Sequence, residues 1–313
     1  MIKPLVVIAG PTAVGKSDLA VNIAKIIGGE IISADSMQIY KYMDIGTAKV
    51  TEEEKSGIRH HLIDVLNPDC SFDALSFKNL AIKAIDDILS RDHIPIICGG
   101  TGFYIQAVTK DIDFTEEDNT EIRKEIEDFY DKEGMDALFE RLRSVDPESC
   151  GIIPKQNIKR VIRAIEFHEI HGIKISDHNK IQQKNKTPYN LAYFVIERNR
   201  EDLYADIDRR VDIMIENGLL EEVRNITSKF EFDERAGIYN AIGYREILGY
   251  LNNEYSFERA VELIKQNSRH YAKRQFTFFK REKDAIWLSR DNMSKEMIIE
   301  SILKVLREKH IYE

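Results

Sequence analysis

Apolar residues fall into two rhythms over the first hundred positions. Leu5-Val6-Val7-Ile8-Ala9 is a compact apolar run of strand length, the pattern of a strand buried on both faces. Behind a polar, glycine-bearing segment, Leu19, Ala20, Ile23 and Ala24 recur at helical spacing, and Gly28-Gly29 stops that helix. Glu30–Ser36 reads as a second strand with a polar end, and His60–Val65 as a third, short one. A helix from about Ser76 to Ser90 carries Phe77, Ala81, Ile85 and Ile88 on its apolar side. It leads into strand Ile94–Cys98, which ends in Gly99-Gly100-Thr101-Gly102. Strands alternating with helices imply an α/β fold, a parallel sheet flanked by helices.

Near Asp111 the rhythm stops. Glu116 to Val145 reads as an acidic helix with Ile122, Ile126, Phe129, Leu138, Phe139 and Leu142 as its apolar positions. Asp146-Pro147-Glu148 punctuates it, Ile158–His171 is a second helix closed by Gly172, and a polar, lysine-rich loop runs to Pro188. Strand character resumes at Leu191–Ile196. The chain therefore divides into a core, 1–110 and 191–313, and a mostly helical insertion, 111–190. The core continues with helix Asp202–Glu216, a helix beginning at Leu219, and a small-residue bend at Ala241–Tyr244. A helix over Phe257–Lys273, a strand at Ala285–Ser289 and a helix at Ile298–Leu306 complete it.

Composition changes this picture in two places. The net charge of −9 argues against nucleic acid as a partner, yet the charge is uneven. Lys155–Arg163 holds four basic residues and no acid, and Lys180–Lys186 and most of Lys265–Lys283 are also basic, so local anion surfaces stand in an acidic chain. Cys70, Cys98 and Cys150 are an odd, widely spaced set, which argues against a disulfide framework and for a reducing cytoplasm. The opening apolar run is too short to span a bilayer. His60 and His61 are neighbours on a strand and point to opposite faces, which disfavours a shared metal ion.

The strongest motif is Gly10–Ser17, GPTAVGKS, which fits G-x-x-x-x-G-K-[ST] between a strand and a helix. Gly10, Pro11, Thr12, Ala13, Val14, Gly15, Lys16 and Ser17 form a phosphate cradle in that context. Its amides and the helix N-terminus face the anion, Lys16 adds a charge, and the Ser17 hydroxyl can hold Mg2+. Ligands of parallel sheets bind at the carboxyl ends of the strands. Three such ends carry polar or glycine-rich tips: Gly10–Ser17, Asp35–Gln38 and Gly99–Gly102.

A phosphate cradle names the group bound and leaves the reaction open. The Asn-Lys pairs at Asn179 and Asn185 lack the following acid of a GTPase base reader. A small-molecule kinase fits better, with Asp35 accepting the proton of the nucleophile, but it leaves the insertion and the basic clusters unexplained.

The chain resembles the tRNA dimethylallyltransferases (the IPP transferase family) nearly end to end. The resemblance rests on GPTAVGKS, SADSMQIY (Ser33–Tyr40), IGTAK (Ile45–Lys49), HHLID (His60–Asp64) and GGTGFY (Gly99–Tyr104). It extends to RR…M…GL..EV (Arg209–Val223), AIGYRE (Ala241–Glu246) and YAKRQFTFF (Tyr271–Phe279). The resemblance implies a P-loop NTPase-like core and transfer of a dimethylallyl group from its diphosphate to N6 of adenosine 37 in tRNA. The loop then holds an isoprenyl diphosphate rather than ATP, with Mg2+ on Ser17. Asp35 takes the N6 proton, while Lys16, Arg210 and Thr101 complete the catalytic set. Asp35, Ser36, Met37, Gln38 and Thr101 border the RNA near the target base, and Arg123 with Gln156, Asn157, Ile158, Lys159 and Arg160 match the family's tRNA contacts. Ser17 stands where many relatives have threonine, and Val14 where many have serine. Without a zinc finger after its last helix, the chain is similar to bacterial members, expected to be cytoplasmic and monomeric. Prenylation of a free nucleotide is the nearest alternative, disfavoured by the large basic insertion.

Overall fold

In the computed structural model, which describes residues 2–114, 120–182, 184–232 and 236–313, side chains alternate across one parallel sheet. Along β1 (Lys3–Ala9), Leu5, Val7 and Ala9 face one core layer while Val6 and Ile8 face the other. β2 (Gly29–Ala34) sends Ile32 to the first layer and Ile31 to the second. The chain between them is α1 (Lys16–Ile27), with Leu19, Ala20, Ile23 and Ala24 buried as the periodicity requires. A short helix α2 (Glu52–Lys55) precedes β3, which is only His60–His61. The expected strand to Val65 breaks because Leu62 and Asp64 adopt left-handed φ of 61° and 58°, which no strand accommodates. His60 Nδ1 lies 2.9 Å from the Ile58 carbonyl, and His61 turns to Glu30.

α3 (Ala74–Ser90) starts earlier than its apolar stripe because Asp73 caps it, accepting the Ser76 N–H at 2.8 Å. It feeds β4 (Ile94–Gly99) and α4 (Gly102–Thr109). Among the described residues six strands form the sheet. After the helical unit the core resumes with β5 (Tyr189–Glu197), where α9 (Arg200–Glu216) and α10 (Leu219–Lys229) follow. A 3-10 turn at Gly237–Asn240 precedes α11 (Tyr244–Leu251), then α12 (Phe257–Phe279), β6 (Ile286–Ser289) and α13 (Lys295–Glu308). In the helical unit lie α5 (Thr120–Val145), α6 (Pro147–Ile152), α7 (Ile158–His171) and α8 (Ile175–Gln182). The sheet order is β3-β2-β4-β1-β5-β6. α12 runs beyond the expected Lys273 because its buried face continues through Gln275 to Phe279 while the basic residues look outward.

Two compact units result, Met1–Thr109 with Thr187–Glu313, and Lys110–Lys186. The helical unit has its own core of Ile126, Leu138, Leu142, Val161 and Ile165. Of the acidic Glu116-Glu117-Asp118 start, all three residues lie outside the described residues, and α5 is interrupted at Gly134. The expected loop after Gly172 contains α8. The buried Asp146 carboxylate accepts the Ser176 N–H at 3.0 Å and its hydroxyl at 2.7 Å, besides the Ser149 hydroxyl at 2.7 Å. One carboxylate thus caps two helix starts, and its second partner lies 30 residues away.

Glu30 is the buried charge of the sheet, 6 % exposed. Arg91 Nη2 donates to both its oxygens at 3.0 and 2.8 Å, and His61 Nε2 lies 2.6 Å away. Burial pushes its pKa up, but the hydrogen bonds from His61 and Arg91 outweigh that and hold it below the ordinary value. A carboxyl depressed by folding stabilises the fold above its unfolded pKa and loses that contribution as pH falls through the folded one. Glu30→Gln should therefore cost about 2 kcal/mol near neutrality, measured by thermal unfolding. The gap to wild type should narrow as pH drops below the ordinary glutamate value of 4.5.

Candidate active site

The Gly10–Ser17 loop begins where β1 ends. Ala13 and Gly15 take left-handed φ of 64° and 82°, so successive peptides turn in the sense that makes an anion-binding nest. A side chain at Gly15 would also come within 2.3 Å of Arg290 Nη1, which donates to the Val14 carbonyl at 2.8 Å. Thr12 N–H donates to Gln275 Oε1 at 2.9 Å, and Gln275 Nε2 donates to the Gly100 carbonyl at 2.9 Å. Lys16 folds back to the Pro11 carbonyl at 3.1 Å. Burial pushes its pKa below the ordinary lysine value, Cys98 and Asp35 oppose that, and Arg210 adds to it. The Cys98 thiol under the loop is pushed up to about 11, chiefly by burial. Ser17 is exposed in the first turn of α1.

The other two strand tips meet this loop. Asp35 Oδ1 accepts the Met37 N–H at 2.9 Å, a tight turn at the end of β2, and Ser36 N–H donates to Thr101 Oγ1 at 3.2 Å. Thr101 N–H returns to the Ala34 carbonyl at 3.1 Å. A cleft of about 200 Å³ opens here. Thr12, Asp35, Ser36 and Arg210 line it with polar groups, and Met37, Ile207, Val211, Met214, Ile242 and Ile264 with apolar ones. Gln38 is engaged elsewhere. Its Oε1 accepts the Ser33 hydroxyl at 3.0 Å, and its Nε2 faces the carbonyls of Thr47 and Ala48.

The two neighbouring arginines of α9 separate cleanly. Arg209 is exposed and paired with Asp206 at 3.3 Å, whereas Arg210 lines the cleft and donates to the Thr47 carbonyl at 3.2 Å. Burial pulls the Arg210 pKa down, and Asp35 and Glu54 oppose it, but a guanidinium stays charged across the physiological range.

Three further groups escape a reading of the sequence. Glu222 accepts the backbone N–H groups of Asp44, Ile45 and Gly46 at 2.9, 2.7 and 3.0 Å, and the Tyr244 hydroxyl at 2.5 Å. This holds the Ile45–Lys49 segment against the cleft and ties three separate motifs into one structure. Gln275 and Arg290 act on the loop as described, and Gln275 lies 263 residues from its loop partner. Gln275 and Glu222 sit inside recognisable motifs, but nothing local marks their partners. Of the aromatics of α12, Phe279 is wholly buried, Phe276 packs edge-on to Trp287 with centroids 5.4 Å apart, and Tyr271 lines the cleft. Phe278 also borders a groove with His270, Lys273, Arg274, Thr277 and Arg281.

In the helical unit Arg123 pairs with Glu127 at 3.1 Å and Glu166 at 3.4 Å. Gln156, Lys159 and Arg160 are exposed at the start of α7, Ile158 is half-buried, and Asn157 caps the helix by accepting the Arg160 N–H at 3.3 Å.

A parallel sheet whose first strand feeds such a loop, with further polar tips beside it, defines a P-loop protein of the α/β class. The family model described as IPP transferase matches residues 38–282. A relative from Lachnoclostridium phytofermentans named tRNA dimethylallyltransferase is 50 % identical over 312 residues, 99 % of each chain. One of the same name from Acetivibrio thermocellus is 45 % identical over 95 % of this chain and 96 % of its own. The solved tRNA isopentenylpyrophosphate transferase of Bacillus halodurans shares 38 % identity over 98 % of both chains, with a TM-score of 0.74. A eukaryotic dimethylallyltransferase solved acting on tRNA gives 0.84 at 28 % identity, over 98 % of this chain and 80 % of that one. The chain belongs to the IPP transferase family.

The contrast between the two arginines can be measured with inorganic diphosphate as an anion probe in calorimetry. Arg210→Ala should weaken its binding by about tenfold to a hundredfold, the range for a lost charge-assisted contact. Arg209→Ala should leave it nearly unchanged.

Proposed function

We propose that this protein transfers the dimethylallyl group of dimethylallyl diphosphate to N6 of adenosine 37 in tRNA, releasing diphosphate. The carrying observation is the cleft itself. Thr12 of the anion loop, the half-buried Arg210 guanidinium and the Asp35 carboxylate line it together with the apolar side chains of Ile207, Val211, Met214, Ile242 and Ile264. That combination suits a short apolar chain with an anionic head, and an aromatic base beside the carboxylate. The names of its relatives point the same way.

The residues divide the work as follows. As the C1–O bond breaks, the diphosphate leaves with the bonding electrons and gathers charge, and the loop amides, Lys16 and Arg210 stabilise it. The C1–N6 bond forms as N6 loses a proton, which Asp35 accepts. Thr101 holds the Asp35 turn through Ser36, and Ser36 and Met37 border the base. Among the described residues no group of three or more metal-ligating side chains exists. Mg2+ bound largely by substrate phosphates and water needs only a hydroxyl such as that of Ser17, which is exposed at the loop. Ser17 would hold the ion, which when bound neutralises part of the diphosphate charge.

An adenine stacked in an anticodon loop cannot enter a cleft, so it is extruded before reaction. The helical unit grips the anticodon stem, through the exposed Gln156, Lys159 and Arg160 together with Arg123, Asn157 and Ile158. Among the described residues no helix is long and apolar enough to cross a membrane, and the three cysteines are free thiols.

The direct test is a mass spectrum of nucleosides from tRNA incubated with the protein and dimethylallyl diphosphate, which should show adenosine carrying one dimethylallyl group. Absence of that product with tRNA, alongside prenylation of free AMP, would favour the free-nucleotide alternative. In single-turnover transfer, Asp35→Asn should bind both substrates nearly normally and react at least about a hundredfold more slowly. Transfer within a few-fold of wild type would reduce Asp35 to a turn former. Lys159→Glu with Arg160→Glu should weaken tRNA binding and flatten its salt dependence, because fewer phosphate counterions are released. Diphosphate affinity should stay unchanged.

A further inference from the structure

Gln275 is a buried polar side chain of α12, 5 % exposed, and its carboxamide bridges two loops that leave the neighbouring strands β1 and β4. Its oxygen takes the Thr12 N–H and its nitrogen donates to the Gly100 carbonyl, both at 2.9 Å. Only a side-chain amide offers one donor and one acceptor at this spacing. A carboxylate cannot donate to Gly100, and an apolar side chain of the same length leaves two buried groups unpaired. Room for the amide depends on Gly100, where a Cβ would stand 2.2 Å from Gln275 Nε2. One turn earlier on α12, Tyr271 lines the cleft with Asp35 and Ser36, and Thr101 accepts the Ser36 N–H beside Asp35. The first half of the anion loop is thus moored to α12 at Thr12. Pro11 has no N–H, so the amides left to face an anion are the later ones, nearest Lys16.

We infer that Gln275 is a positioning residue for the anion loop, setting its first half against the tip of β4 so that Lys16 and the later amides meet the diphosphate. This rests on the reading of Gly10–Ser17 as the diphosphate site. Gln275 itself touches no substrate. It acts through the Thr12 peptide, and its loss is read as looser anion binding by an otherwise folded protein.

The test is calorimetric titration of the full chain with inorganic diphosphate in the presence of Mg2+, with an anticodon stem-loop RNA titrated in parallel and thermal unfolding recorded. Gln275→Met keeps length and burial and removes both hydrogen bonds. Gly100→Ala pushes the amide from the other side and serves as the second variant should Gln275→Met fail to fold. Each should raise the Kd for diphosphate by about tenfold, the size of one or two lost hydrogen bonds, and leave the RNA Kd within about twofold. A purely structural residue would lower the unfolding temperature and leave the diphosphate Kd, measured well below it, where it was. That result overturns the proposal. If wild type itself fails to bind inorganic diphosphate, the reading of the loop falls and the proposal with it, and the two failures are distinguished by which protein shows them.

Discussion

Parallel strands end on the same edge of a sheet, and here three of them end at the same level. Ala9 of β1 and Ala34 of β2 both pair with Gly99 of β4, so the chain leaves all three strands side by side. The fit is so close that a Cβ on Gly99 would stand 2.2 Å from the Ala34 carbonyl. A side chain there would push β2 from β4 and carry Asp35 away from the anion loop. The grouping of loop, carboxylate and Thr101 therefore rests on strand register before it rests on any side-chain contact.

Charge is organised against the chain's overall balance. The protein is acidic, yet the cleft gathers Lys16, Arg210, Arg245 and Arg274 around or beside one carboxylate. The burial that depresses the Lys16 and Arg210 pKa values also strengthens their field, because few water molecules screen it. Asp35 opposes both shifts, so it helps keep the cations charged besides any part it takes with protons.

Much of this was legible in the residues, and the limits are physical. Buried strands and amphipathic helices announce themselves through period, which is why β1, α1 and α7 lie where apolar spacing puts them. Local glycine and acid signals located the three strand tips. What stayed hidden depends on partners remote in sequence. α8 starts on the Asp146 carboxylate, β3 is cut short by backbone at Leu62 and Asp64, and α12 is prolonged by burial of Gln275 and Phe279. Glu222, Gln275 and Arg290 reach loops 175 to 276 residues away, distances over which no spacing rule operates. Gln38, expected to border the RNA near the target base, has its Oε1 on the Ser33 hydroxyl and its Nε2 facing the Thr47 and Ala48 carbonyls.

Glu222 carries a wider consequence. Consecutive amides at Asp44, Ile45 and Gly46 form a concave array of the kind that elsewhere captures a phosphate, and here the chain fills it with its own carboxylate, backed by the Tyr244 hydroxyl. The segment that presents Gly46 and Thr47 to the cleft is therefore shaped during folding and does not wait for a ligand to order it. The conformational entropy of that wall is lost once, when the protein folds, and is not charged again against each substrate that binds. An internal anion in place of an external one turns what is a sensor in other proteins into a fixed abutment.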